Sequence, residues 1–237
     1  MLDGYRFMLL DMTKQNPLRA ASFCLCLVLG VPLLGCSPTG FETAFQDWQA
    51  EGLMSTARQS RNSKDYRGSV ETLKRAAEIA PKNSQVWNEL CLAYQLTGEF
   101  DLAIESCQQQ VNLNPTATSY NSLGWAYWPK HDYLKAASVF EIATAKSDEP
   151  IFQDHLLWSL LGAKQYEKAI PAALRLIEEI KKDGSSSVDM TSAIECLGVA
   201  YSESGQTAKA NAIFQQANVT SCKFGFAEDG DMQMSCK

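Results

Sequence analysis

Histidine is nearly absent: His131 and His155 are the only two in 237 residues. Neither has a cysteine or carboxylate at ligand spacing, so the usual metal patterns do not occur. A glycine-rich phosphate loop and a G-x-S-x-G elbow are missing too. Asp and Glu are scattered, with no pair set apart in an apolar setting for acid–base work. The chain therefore reads as a non-enzyme with no metal and no cofactor. Basic residues are also scarce, 21 Lys and Arg against 27 Asp and Glu, for a net charge of -6. Nucleic-acid binding needs clustered cations facing phosphates, so nucleic acid is excluded as a partner. No apolar run reaches the roughly 20 residues that span a bilayer.

What is present begins with a targeting segment. Lys14 and Arg19 precede the apolar run "AASFCLCLVLGVPLLG", residues 20–35. A basic start, an apolar stretch and a small residue at its end describe a secretory signal. The run closes in "LLGC", Leu33 to Cys36, which resembles the lipobox of bacterial lipoproteins. That resemblance implies cleavage before Cys36 and covalent lipid on its sulfur. Asp3 and Asp11 suit a signal poorly, which points to translation starting at Met12. Ser37 follows the cysteine, and by the family's sorting rule it directs the anchor to the outer membrane, facing the periplasm. Residues 1–35 are thus read as signal peptide and 36–42 as a lipidated tether.

The body, 43–217, repeats itself. "VWNELCLAYQLTGEFDLAIESCQQQVNLNP" (86–115), "YNSLGWAYWPKHDYLKAASVFEIATA" (120–145) and "IECLGVAYSESGQTAKANAIFQQA" (194–217) share one frame. It resembles the tetratricopeptide repeat, a pair of antiparallel helices in about 34 residues. The resemblance implies an all-α solenoid, a right-handed superhelix of five units starting at Ala50, Ser84, Ala117, Pro150 and Thr191. Position 8 must be small where the two helices cross, and it reads Ala57, Cys91, Gly124, Leu157 and Gly198. Position 20, facing it, reads Ser69, Ala103, Ala136, Ala169 and Ala210. Position 17 wedges an aromatic at the start of the second helix: Tyr66, Phe100, Tyr133 and Tyr166, with Thr207 the exception. Units one and four diverge. Pro171 falls inside a second helix, where a kink is expected.

In this repeat family the inner, concave wall is built from first-helix positions 2, 5, 9, 12 and 13. Those positions supply Arg58 and Arg61, then Asn88, Leu92 and Gln95, then Asn121, Trp125 and Trp128, then Trp158 and Leu161. Asp154 and Glu195 fall at position 5 of units four and five. Trp87, at position 4, reads as packing. An apolar patch on a soluble protein marks an interaction site, and Trp is enriched among binding hot spots. The expected partner is a protein or peptide with apolar anchors laid along the groove. The competing expectation is that the tail, 218–237, or the long second helix of unit four, folds into the groove and buries the tryptophans.

Five cysteines remain after cleavage, an odd number for an oxidising compartment. A bridge between Cys222 and Cys236 is expected to staple the tail. Cys91 and Cys107 are expected as buried thiols, and Cys196 as a free core thiol.

The whole reads as an outer-membrane-anchored periplasmic scaffold in an envelope assembly. Pilus or secretion pores and peptidoglycan-hydrolase complexes are the resembling cases. The alternative is a glycan-binding component of polysaccharide export, since sugars stack on Trp faces. Pairing of two copies through the exposed end of unit five is also open.

Overall fold

The computed structural model describes residues 38–183, 188–217, 221–226 and 232–236. The expected signal peptide, Cys36 and the stretch 184–187 lie outside them. The described residues form ten helices, packed in consecutive pairs: α1 (Pro38–Asn62), α2 (Tyr66–Ile79), α3 (Ser84–Thr97), α4 (Phe100–Leu113), α5 (Ala117–Tyr127), α6 (Tyr133–Lys146), α7 (Pro150–Gly162), α8 (Tyr166–Asp183), α9 (Met190–Glu203) and α10 (Thr207–Gln216). A 3-10 turn, Trp128–Lys130, extends α5, and strands β1 (Cys222–Phe226) and β2 (Met232–Cys236) follow α10. The chain divides into two compact units, one ending at Ala93 and one beginning at Tyr94. None of the described helices is long and apolar enough to cross a membrane.

The repeat frame sets the helix starts. All five second helices begin at position 17: Tyr66, Phe100, Tyr133, Tyr166 and Thr207. Three first helices begin at position 1, at Ser84, Ala117 and Pro150. The helix of unit one starts earlier, at Pro38, so residues 38–42 of the expected tether are helical. α8 runs unbroken through Pro171, which sits near its exposed start and costs one backbone hydrogen bond.

Position 15 carries the turn within each pair. Lys64, Gly98, His131, Lys164 and Gly205 all occupy the left-handed region there, at φ between 54° and 81°. In unit four the Gln165 N–H donates to the Leu160 carbonyl at 2.8 Å and the Lys164 N–H to that of Leu161 at 2.9 Å. The same two bonds close the other four turns, and they satisfy carbonyls that a helix end leaves bare. Only glycine adopts this conformation without steric cost. Lys164→Gly is therefore expected to raise stability by about 0.5–1 kcal/mol, read as a higher urea midpoint at unchanged slope. A lower midpoint would mean that the lysine side chain makes a contact worth more than the strain.

The cores follow the small positions. Position 8 and position 20 are buried in every unit, as in Ala57 and Ser69 or Leu157 and Ala169. Gly124 and Gly198 show why. A methyl group built on Gly124 would lie 2.5 Å from the Phe140 ring, and one on Gly198 2.3 Å from the Phe214 ring. Phe140 and Phe214 hold position 24, so the first helix is pressed directly onto an aromatic face of the second.

The described part of the tail forms two strands. β1 and β2 pair antiparallel, with Cys222 opposite Cys236 and Phe224 opposite Met234. The expected Cys222–Cys236 bridge is present. Cys222 is buried, and Met234 and Cys236 pack beside it against the core that contains α9. Cys91 and Cys107 are both disulfide-bonded, which corrects the expectation of free thiols.

Candidate functional site

In the unit ending at Ala93, the predicted groove arginines are already engaged. Arg58 donates from Nε to Glu89 Oε1 at 2.8 Å, and Arg61 donates to Glu89 Oε2 at 2.7 Å. Arg58 also reaches Glu51 at 3.2 Å. Glu89 is buried, with two cations closing over its carboxylate. The Glu89 hydrogen bond holds the Arg58 guanidinium above its ordinary value. These arginines thus neutralise an internal acid rather than standing ready for an external anion. Asn88 is half-buried and Leu92 exposed on the same helix. Trp87, read as packing, is half-buried, and its indole donates to the Pro81 carbonyl at 2.8 Å.

In the unit beginning at Tyr94, the tryptophans gather. Trp125 on α5 and Trp128 in the turn that follows lie 4.6 Å apart, centroid to centroid. Trp125 meets the Phe140 ring edge-on at 6.0 Å and the His155 ring at 4.7 Å. Trp128 stacks edge-on to Tyr133 at 5.6 Å, and its indole donates to Ser159 Oγ at 3.1 Å. Ser159 is fully buried and donates in turn to the His155 carbonyl at 2.8 Å. Edge-to-face aromatic pairs of this kind add about 0.5–1.5 kcal/mol each beyond their burial. Each indole is fixed from behind while one side stays partly exposed.

Polar groups complete the wall. His155 Nδ1 lies 2.6 Å from Asn121 Oδ1 and donates to that carbonyl oxygen. Burial pulls the imidazole down to about 4, so it is neutral at pH 7. Asp154, one residue before, has the Trp158 indole as its hydrogen-bond partner. Burial raises its carboxyl to about 6 despite that bond. Glu195, the matching residue on α9, brings a carboxylate oxygen within 4.8 Å of the sulfurs of Cys222 and Cys236. Both sulfurs are tied in the disulfide, so neither offers a thiolate to a metal ion. The hairpin thus does reach the predicted wall, at its fifth-unit end. Among the described residues Cys196 is the free cysteine, and burial, with the Asp154 and Glu195 charges nearby, pushes its thiol far up, out of nucleophilic range.

The structure brings Asn121, Trp125 and Trp128 against His155 and Ser159 of α7, the helix that also carries Trp158. Gln95 is half-buried on α3. Leu161 does not join them: it is fully buried, because α7 is apolar on nearly every side and is covered by α6 and α8. Sequence reasoning missed Glu89, His155 and Ser159. Glu89 and His155 share position 6, whose side chain meets position 9 of the preceding repeat: Arg58 in one case, Trp125 in the other. A polar residue at position 6 beside a buried face was the available signal.

Helix pairs of this length and register, joined by left-handed turns, define a tetratricopeptide-like repeat array. The family profile of the tetratricopeptide repeat matches residues 84–116. Over 94 residues, 39% of the chain, there is 24% identity to the small glutamine-rich tetratricopeptide repeat-containing protein 2 of Mycosarcoma maydis. The chain spans 27% of that protein's length. Among solved structures, the MamA protein superposes with a TM-score of 0.62 at 24% identity, over 71% of this chain and 89% of that one. YrrB, described as a TPR protein with an unusual peptide-binding site, superposes with a TM-score of 0.58 at 11% identity, over 70% and 82%.

Proposed function

We propose that this chain is an adaptor of the bacterial cell envelope. Lipid on Cys36 holds it at the outer membrane facing the periplasm, and the tryptophan wall docks a segment of a partner protein. One observation carries the docking role: Trp125, Trp128 and Trp158 are each partly open, while Phe140 and His155 brace Trp125 and Ser159 holds the Trp128 indole. Rigid, braced indoles with an exposed side are the usual anchors of a binding surface. A peptide-binding site on the YrrB array supports the same use of this fold. The class of assembly served is an envelope machine, such as a pilus, secretion or peptidoglycan-hydrolase complex.

The test is a cross-linked pull-down from envelopes, comparing native chain with Trp158→Ala and with Trp125→Ala plus Trp158→Ala, each checked by circular dichroism. Specific proteins retained by the native form and lost in both folded variants support the reading. Unchanged retention by the single variant places the docking surface elsewhere, and retention on peptidoglycan instead transfers the wall to a glycan. Labelled palmitate incorporated by the native chain and absent from Cys36→Ser tests the anchor.

A further inference from the structure

The polar inventory of the wall is unbalanced. Among the described residues of the unit beginning at Tyr94, the ion pairs are Lys130 with Asp101, Lys135 with Asp132 and Lys182 with Glu178. None involves Asp154. Its neighbour His155 is neutral, with Nδ1–H committed to Asn121, and so supplies no cation. On α9 the matching position is Glu195, a second acid, and the Cys196 thiol feels the charge of both. A half-buried carboxylate is therefore held beside the Trp158 indole, with that N–H of its own helix as the hydrogen-bond partner seen, one residue before the His155 ring that meets Trp125.

An apolar ligand would bury that charge further, and an anionic one would repel it. A cation relieves it, and the ring faces add attraction of their own. A divalent ion is poorly served: hard metals take six or more oxygens, and this place offers one carboxylate beside carbon surfaces. An ammonium or guanidinium on a flexible stem suits both halves of the site, because its methylenes lie on the rings while its head meets the carboxylate.

We propose that the wall takes a lysine or arginine side chain of the partner segment, paired with Asp154 and laid against the faces of Trp158 and Trp125. This deepens the docking role above and rests on it. The partner segment is thus basic at one position and apolar on either side. The arginines of the other unit, saturated by Glu89, make no matching demand for an acidic partner.

The experiment pans a random dodecapeptide display library on the full chain in detergent, with the Trp125→Ala, Trp158→Ala variant as the control surface. Enriched peptides are expected to carry Lys or Arg between apolar residues. In the tightest one, replacing that residue by norleucine is expected to weaken binding about tenfold, a difference of about 1.4 kcal/mol. Asp154→Asn is expected to abolish the preference and leave norleucine binding in place. Equal affinity for lysine and norleucine peptides, or enrichment without basic residues, overturns the cation site and leaves the docking wall standing. Enrichment no better than on the control variant removes both.

Discussion

Gly124→Ala is expected to lower the unfolding free energy by about 2–3 kcal/mol, the cost of overpacking a filled core. The added methyl would fall 2.5 Å from two atoms of the Phe140 ring, well inside contact distance. Phe140 has no exposed surface, so the ring cannot swing into solvent to make room. Its nearest exit leads toward Trp125 and His155, whose centroids lie 6.0 and 5.5 Å away. The substitution should thus disturb the wall as well as the core. Denaturant unfolding measures the loss, and near-ultraviolet circular dichroism reports the tryptophans. Adding Phe140→Leu, which removes the opposing ring edge, is expected to recover part of the stability. A Gly124→Ala protein as stable as the native one would show that the helices separate there without cost.

Asp154→Asn is expected to act in the opposite direction, raising stability at pH 7 by about 2 kcal/mol. The native carboxyl titrates at about 6 in the fold against 3.8 when free, a gap corresponding to about 3 kcal/mol. Solvent on the open side of the wall trims that figure. The sign follows from the raised value. The folded state holds the proton more tightly than the unfolded one, so Asp154 contributes its stability fully below pH 3.8 and loses it as pH rises through about 6. His155 runs the other way: its contribution is present above pH 6.5 and lost as pH falls through about 4. Comparing the variant with the native chain isolates the first effect from the second. Asparagine keeps an oxygen for the Trp158 indole and carries no charge. The stability difference should vanish near pH 4 and be complete by pH 7, in thermal melts taken across that range. A difference independent of pH would mean that the carboxylate is not desolvated in the fold. A residue that weakens the fold at neutral pH is what a binding site commonly retains.

The helical frame was legible because its markers are steric. Small residues at positions 8 and 20 and a ring at position 17 cannot be exchanged freely, and all five second helices start where the ring position said. The tail was not legible as strands. "CKFGF" and "MQMSC" are five residues each, and a two-stranded hairpin has little stability of its own. Its disulfide was foreseen from cysteine spacing, whereas its pairing depends on packing against α9, which no local pattern displays. Leu161 was misplaced for a different reason. Phe152, Leu156, Leu157, Leu160 and Leu161 are all buried, and Gln153, Asp154, His155 and Ser159 are spread around α7 rather than gathered on one face, so its orientation cannot be read from the pattern. Trp125 and Trp128 were read as wall residues, but two of their partners, His155 and Ser159, come from the following repeat, at positions the family frame does not mark.

That last arrangement alters how such a surface would evolve. Glu89 turns the positions before it into a sealed ion pair, while His155 turns the same positions into an aromatic shelf. The chemistry displayed by one repeat is thus chosen by its successor. Duplicating, deleting or exchanging a repeat would therefore rewrite its upstream neighbour as well as itself. One codon at position 6 would suffice to convert a closed stretch of wall into an open one.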